Sequence, residues 1–153
     1  MNIEWRLKAW DELSKEELYS ILRLRAEVFV VEQNCPYQDI DNKDMQSIHL
    51  LGIDHNLQCV AYLRLVQPGV SYKEWSIGRV VTSADVRRTG AGRYMMLKAI
   101  DYLITSCSSS AIRISAQSYL EKFYSSLGFV TVSEPYLEDD IPHVEMLYTV
   151  GNT

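Results

Sequence analysis

The hydrophobic and polar residues of this chain follow two periods, and the places where the period changes predict its elements. Residues 47–53 and 58–66 alternate between apolar and polar positions, and Asp54-His55-Asn56 separates them, which predicts an antiparallel hairpin. The other predicted elements are a strand over 74–82, a helix over 92–106, a strand around 112–117, a helix that ends at Gly128, and a last strand around 143–150.

The first predicted helix carries an arginine on its apolar side. Ser14, followed three residues later by Glu17, forms a capping-box pattern that begins a helix. Arg25 then lies on one stripe with Leu22 and Phe29. Either its stem packs while its guanidinium reaches water, or the guanidinium is partly buried and needs a carboxylate partner. The nearest carboxylates in sequence are Asp39, Asp41 and Asp44.

The order of the predicted elements indicates the fold class. The chain runs strand, helix, antiparallel strands, helix, strand, helix, strand, which predicts an α/β protein with a mixed sheet. Its 153 residues and 17.6 kDa predict one domain over residues 1–153, with the motifs within about 7–150. Residues 74–117 form a βαβ unit, and ligands bind beyond the carboxyl ends of such strands.

Composition excludes several classes of function. A net charge of −5 and a pI of about 5.2 argue against binding of nucleic acid or of an anionic membrane. No apolar run is long enough to span a bilayer, and the first six residues lack the apolar part of a secretory signal. The three cysteines and three histidines are scattered, so we expect a reduced cytoplasmic protein without a disulfide framework or a metal site.

The run RRTGAG at residues 87–92 carries the strongest chemical signal. Gly90 and Gly92 lack Cβ atoms, so the backbone can turn tightly and present its N–H groups to an anion. A helix that begins at Thr89 or Gly90 would direct its positive dipole end at the same anion. Positive charge is concentrated here at Arg87, Arg88 and Arg93. The loop therefore predicts a nucleotide-bearing ligand.

Two familiar phosphate loops do not fit this segment. A dinucleotide loop needs a third glycine where this chain has Met95, and a P-loop needs G-K-[ST] where it has Gly92-Arg93-Tyr94. What remains is R-x-x-G-x-G, followed by F-Y-S-S-L-G-F at residues 123–129. Together, at this separation and in this element order, the two motifs resemble those of the GNAT superfamily of acyl-CoA-dependent N-acyltransferases.

That resemblance implies a fold and a co-substrate. The implied fold is a mixed, mostly antiparallel twisted sheet flanked by helices, and the implied co-substrate is acetyl-CoA, with no metal. The pantetheine arm is expected to lie along the strand before the loop as an added strand would, and the pyrophosphate in the loop. The expected cofactor-binding residues are Val80, Val81, Thr82, Arg87, Arg88, Thr89, Gly90, Ala91, Gly92, Arg93 and Gln117.

Four further segments are similar to the ElaA-type branch of these acyltransferases. They are V-F-V-V-E-Q-N-C-P-Y at 28–37, H-L at 49–50, A-Q-x-Y-L at 116–120 and L-E-D-D-I-P-H at 137–143. One position departs from the branch, because Asp140 stands where we expect glycine. The turn before Ile141 is therefore expected to differ in shape.

The implied reaction needs an acid and a base. Tyr124 matches the family's usual proton donor to the departing thiolate, although it could also be one of ten tyrosines that only packs on a helix face. The base is left open among Glu32, His49, Glu74 and His143, and we favour Glu32 because it closes the first helix beside the predicted acceptor pocket. Direct transfer is simpler than an acyl-enzyme at Cys35, which has no histidine beside it in sequence.

The acceptor is expected to be the amine of a small molecule or a peptide. It would meet the first helix and its following loop, and the expected acceptor-binding residues are Arg25, Gln33, Tyr37 and His49. Two alternatives stay open. L-R-x-x-V-F-V at residues 24–30 is similar to the opening helix of acyl-homoserine-lactone synthases, and a non-catalytic acyl-CoA sensor would carry the same loop. The sequence also leaves open whether the chain forms a homodimer.

Overall fold

The computed structural model describes residues 2–151 and is built around one sheet of eight strands. The strand order is β1-β2-β3-β4-β5-β8-β6, and β7 pairs with β8. β4 and β5 are parallel, while the other neighbouring pairs are antiparallel, so the mixed, mostly antiparallel sheet is confirmed. The strands are β1 Glu4–Ala9, β2 Ser47–Ile53, β3 Cys59–Val66, β4 Trp75–Thr82, β5 Ala111–Gln117, β6 Val130–Thr131, β7 Tyr136–Glu138 and β8 Ile141–Thr149.

The helices flank this sheet on both faces. α1 spans Lys15–Arg25 and continues without a break as a π-helix over Ala26–Glu32, α2 spans Ala91–Thr105, and α3 spans Glu121–Ser125. Short 3₁₀ turns lie at Trp10–Glu12, Asp44–Gln46, Ala84–Val86 and Ser118–Leu120. No helix within residues 2–151 combines the length and the apolar character needed to cross a bilayer.

Local side-chain hydrogen bonds explain where α1 begins and how the β2–β3 hairpin turns. Ser14 Oγ accepts from the Glu17 amide at 3.0 Å, and Glu17 Oε1 accepts from the Ser14 amide at 2.9 Å, so the predicted capping box is present. In the β2–β3 turn, Asp54 Oδ1 accepts from the amides of Asn56 and Gln58, both at 2.9 Å. The predicted hairpin is confirmed with its turn.

The two helical layers bury different faces of the sheet. α2 buries the predicted stripe of Met96, Ile100 and Leu103 against β3, β4, β5 and β8. On the other face, α1 and the π-helix bury Ile21 and Val28, with Leu24 between them, against β2 and β3. The fully buried side of α1 therefore does not coincide with the predicted stripe. Leu22 and Phe29 of that stripe, and Leu18 on the same side of the helix, are only partly buried.

The parallel strands β4 and β5 separate along their length, and the gap between them leaves space for a site. β4 and β5 pair only at Trp75 with Ile112 and at Ser76 with Arg113. Beyond that point the register of β4 against β3 shifts, and Arg79 adopts a left-handed φ of +51°, which marks a β-bulge that bends the strand. The predicted βαβ unit is present, but its strands separate toward their carboxyl ends.

Candidate active site

Two cavities meet where β4 and β5 separate. The loop cavity lies beside residues 87–92 and is lined by Glu32, Val81, Thr82, Arg87, Gly92, Met95, Tyr119 and Phe123, among others. The hairpin cavity lies beside the β7–β8 hairpin and is lined by Cys35, Tyr37, Asp39, Arg79, Ser115, Glu138, Asp139 and His143, among others. Both cavities are also lined by Phe29, Gln33, Val80, Gln117, Leu120 and Tyr124.

The glycine loop adopts the backbone shape of an anion cradle. Arg88 has φ +66° and Gly90 has φ +87°, so left-handed residues alternate with others and can direct successive N–H groups toward one point. Gly90 is the N-cap residue of α2, as the sequence predicted, and the positive end of the dipole of this 15-residue helix lies at the loop.

Arg87 is held by a carboxylate from the end of the π-helix. Its guanidinium contacts both carboxylate oxygens of Glu32, at 2.6 and 3.0 Å, and donates to the Thr82 carbonyl at 3.1 Å. Glu32, the favoured base, thus lines the loop cavity and not the hairpin cavity. The sequence expected it beside the acceptor pocket, whereas the π-helix ends over the loop and places it against Arg87.

The other predicted cofactor residues divide into three groups. Val80, Val81, Thr82, Gly92 and Gln117 line the loop cavity with Arg87. Thr89, Gly90 and Ala91 line a shallow depression with Trp5 and Tyr94 on the other side of the loop. Arg93 donates to Ser126 Oγ at 3.0 Å and ties α2 to α3, while Arg88 is exposed; neither lines the loop cavity. These assignments to CoA remain predictions.

Tyr124 lies at the junction of the two cavities. Its ring contacts Phe123 and Phe129 edge to face, with centroids 5.2 and 6.1 Å away. Burial raises the pKa of its phenol to about 12, so the hydroxyl keeps its proton at neutral pH. α3 thus brings a protonated donor to the border between the two predicted binding regions.

The predicted acceptor residues Arg25 and His49 are buried away from both cavities. Arg25 is 0% exposed and contacts Asp39 at 2.8 Å and Asp44 at 2.7 Å, which confirms the interpretation of a buried cation with a carboxylate partner. His49 Nδ1 lies 2.6 Å from the Tyr62 hydroxyl, and its Nε2 lies 2.9 Å from the Asp44 carbonyl. Neither residue lines either cavity, so their placement does not support the expected role in acceptor binding.

Arg25 belongs to a network of buried ion pairs, and His49 contacts that network at Asp44. Arg64 contacts Asp44 at 2.9 Å and also pairs with Asp41, and Arg79 Nε lies 2.8 Å from Asp39 Oδ1. Burial by itself would raise the pKa of Asp44, but its hydrogen bonds and ion pairs with Arg25 and Arg64 outweigh burial and lower it. The network fixes the loop after the π-helix to β3 and to the bulge of β4.

The wall of the hairpin cavity carries several polar groups, and of those described next the sequence singled out only His143, as one of four candidate bases. Glu138 accepts from Ser115 Oγ at 3.2 Å, and Ser115 also bonds the Tyr136 hydroxyl. His143 Nδ1 lies 2.7 Å from the Ile141 carbonyl, and its Nε2 lies 3.5 Å from Glu138 Oε2. The segment 137–143 stood out as a branch motif, but no pattern within it indicated that its residues border a cavity.

Tyr37 and Gln33 do reach this wall. Gln33 lines both cavities, and the Tyr37 hydroxyl donates to the Asp140 carboxylate. Asp139 and Asp140 have φ of +51° and +62°, the left-handed values of a two-residue hairpin turn that glycine favours and aspartate tolerates. The turn is thus formed without the glycine expected at position 140.

The described residues offer no metal centre. Across residues 2–151, no group of three or more histidine, cysteine, aspartate or glutamate side chains is placed to hold an ion.

Comparison with known proteins identifies the family. The family model for the acetyltransferase (GNAT) domain matches residues 10–150. ElaA of Escherichia coli is 40% identical over 146 residues, 94% of this chain and 95% of that protein, and its crystal structure superposes with a TM-score of 0.89 over 96% and 99% of the two chains. A crystal structure of an acyl-CoA N-acyltransferase from Pseudomonas aeruginosa is 41% identical, with a TM-score of 0.91 over 97% of this chain and 100% of that one. Because the family model covers residues 10–150 and ElaA matches most of the chain, the chain belongs to the GNAT acetyltransferase family and resembles ElaA within it.

Proposed function

We propose that this protein is an acetyl-CoA-dependent N-acetyltransferase that transfers the acetyl group directly to the amine of a small molecule or peptide. The observation that carries the proposal is the position of Tyr124, a buried and protonated phenol that lines both cavities. One cavity has the features of a CoA site, and the other is open to an acceptor. A donor at their junction can protonate the sulfur as the thioester breaks.

The loop cavity supports acetyl-CoA as the donor. Val80, Val81 and Thr82 line it beyond the bulge of β4, where β5 no longer pairs with β4. A pantetheine arm has room to add along this free edge as a strand does. Its pyrophosphate would then reach the left-handed loop at the start of α2, where backbone N–H groups and the helix dipole favour an anion.

The hairpin cavity supports an amine as the acceptor. Glu138 and Asp139 place carboxylates at its wall, whereas the one cation that lines it, Arg79, is paired with Asp39 and Asp41. Arg25, which would have favoured an acceptor carrying a carboxylate, is buried. Excess negative charge attracts a protonated amine and disfavours an anionic substrate.

Mass spectrometry of acetylation products tests the proposal. The full chain is incubated with acetyl-CoA and, in separate reactions, with propane-1,3-diamine, ethanolamine and a short peptide with a free N-terminus. We expect one of these amines to gain an acetyl group at a rate above the enzyme-free reaction. In a parallel reaction with a long-chain acyl-CoA and a homoserine derivative, transfer there and in none of the acetyl-CoA reactions would replace this proposal with a lactone-synthase activity. Tight acetyl-CoA binding without any transfer would replace it with a sensor.

A further inference from the structure

The hairpin cavity contains one histidine whose position suits proton transfer from the acceptor. His143 lies on β8, opposite Gln117 of β5 and Tyr136 of β7. It is 6% exposed and lines the cavity that Tyr124 also lines. The Tyr136 ring stacks on the imidazole at a centroid distance of 6.2 Å and an interplanar angle of 25°, which holds the ring in one orientation.

Hydrogen bonding selects the tautomer of this imidazole. Nδ1 lies 2.7 Å from the Ile141 carbonyl oxygen, and a carbonyl can only accept, so Nδ1 carries the hydrogen. The neutral ring then has its lone pair on Nε2, 3.5 Å from Glu138 Oε2. A proton that arrives on Nε2 forms an imidazolium facing that carboxylate, and the ion pair stabilises it.

The other three candidate bases lack these features. Glu32 and Glu74 are each paired with an arginine, and neither lines the hairpin cavity. His49 uses both ring nitrogens within the core, where burial lowers its pKa. Of the candidates that the sequence offered, His143 alone lines the hairpin cavity, which Tyr124 also lines.

We infer that His143 is the general base of the transfer reaction and that Glu138 is a positioning residue that stabilises its protonated form. This inference rests on the proposed function. His143 Nε2 takes a proton from the ammonium, and the lone pair left on nitrogen attacks the thioester carbonyl. The C–N bond forms, and the C–S bond breaks as Tyr124 protonates the sulfur. The nitrogen loses its second proton as the adduct collapses and the Tyr124 phenol is restored, so that one proton is released overall.

Turnover of a charged and of an uncharged acceptor distinguishes a general base from a residue that is only structural. Propane-1,3-diamine and ethanolamine are ammonium ions at pH 7 and must lose a proton before attack, whereas hydroxylamine is uncharged there. Turnover of each with acetyl-CoA is measured for the wild-type chain, His143→Gln, Glu138→Gln and Glu134→Gln. Glu134 is exposed, lies before β7 and lines neither cavity, so its substitution controls for the loss of one carboxylate.

A general base typically raises the reaction rate by roughly 10²–10⁴-fold, and the losses expected for the variants follow from that range. His143→Gln is expected to lower kcat/KM for the ammonium acceptors by about 100-fold or more. The expected loss with hydroxylamine is smaller than about 10-fold, and acetyl-CoA affinity should be unchanged. Glu138→Gln should lose about 10-fold with the same preference for hydroxylamine. Glu134→Gln should match the wild type.

Equal losses on both kinds of acceptor, or no loss on either, would overturn the assignment. If His143→Gln fails to fold, Glu138→Gln decides, because its side chain is half exposed in a hairpin strand and its loss should leave the core intact. A wild-type chain that binds acetyl-CoA but acetylates neither the amines nor hydroxylamine overturns the proposed function, and the assignment with it. Wild-type turnover that His143→Gln retains overturns the assignment alone.

Discussion

Gly90 and Gly69 have nearly the same positive φ but lie in different parts of the molecule. Their φ values are +87° and +89°, and a Cβ atom built on either would meet no other atom within 4 Å. Gly90 lies at the start of α2 beside the cradle loop, and Gly69 lies in the turn between β3 and β4. We therefore expect similar strain from a side chain at both positions, which makes Gly69 a control for the location of Gly90.

Replacing each of these glycines with valine tests the loop as a CoA site. Both variants should lose about 1–3 kcal/mol of stability, because a β-branched residue is strained at positive φ. Only Gly90→Val is expected to lose acetyl-CoA binding, because Gly90 is the N-cap residue of α2 and a branched side chain there should disturb the loop that would hold the pyrophosphate. Isothermal titration with acetyl-CoA measures this, and retained affinity in folded Gly90→Val would refute the loop assignment.

At the scale of elements, α1 begins at a carboxylate that does more than cap it. Glu17 accepts from the Ser14 amide, from Lys8 Nζ and from Arg6, each at 2.9 Å. Burial by itself would raise its pKa, but these bonds outweigh burial and lower the pKa to about 2. A carboxyl with a lowered pKa stabilises the fold above its unfolded pKa and ceases to do so as the pH falls through its folded pKa.

Glu17→Gln should therefore destabilise the protein in a pH-dependent way. The loss in the free energy of unfolding is expected to be about 2–3 kcal/mol at pH 7. It should shrink between about pH 5 and pH 2, as wild-type Glu17 also becomes neutral. Urea denaturation across this range measures the difference. Glu16→Gln, the exposed neighbour in the same helical turn, is the control, and an equal, pH-independent loss in both variants would contradict the account.

The elements also show what the sequence can and cannot predict. The β2–β3 hairpin and α2 were predicted because alternation and helical spacing are local and extend over many residues. The bulge at Arg79 and the π-helical end of α1 were not, because both depend on contacts with distant segments. β6 and β7, with two and three residues, are too short for a pattern to appear.

The same limit applies to the candidate site. The glycine loop and Tyr124 were found because a motif marks each of them. The burial of Arg25 and His49 away from both cavities could not be predicted, because it depends on the packed structure, which places Asp39, Asp44 and Tyr62 around them. Glu138 was passed over because its neighbours, Ser115 and His143, come from two other strands.

At the scale of the whole molecule, the fold holds two cavities against each other. The network of Arg25, Arg64 and Arg79 with three aspartates fixes the loop that walls the hairpin cavity to α1, β3 and β4, and β4 also lines the loop cavity. α3 inserts Tyr124 at their common border. The central claim is that this junction is where an acetyl group passes from CoA sulfur to an amine nitrogen.

Removal of the Tyr124 hydroxyl oxygen is the most direct test of this transfer. The rate of CoA release with acetyl-CoA and propane-1,3-diamine is measured for the wild type, Tyr124→Phe and Tyr19→Phe, the last an exposed tyrosine of α1 outside both cavities. The account predicts that Tyr124→Phe lowers kcat by about 10²–10⁴-fold with acetyl-CoA affinity nearly unchanged, while Tyr19→Phe matches the wild type. A wild-type turnover rate for Tyr124→Phe would contradict the proposed role of this phenol.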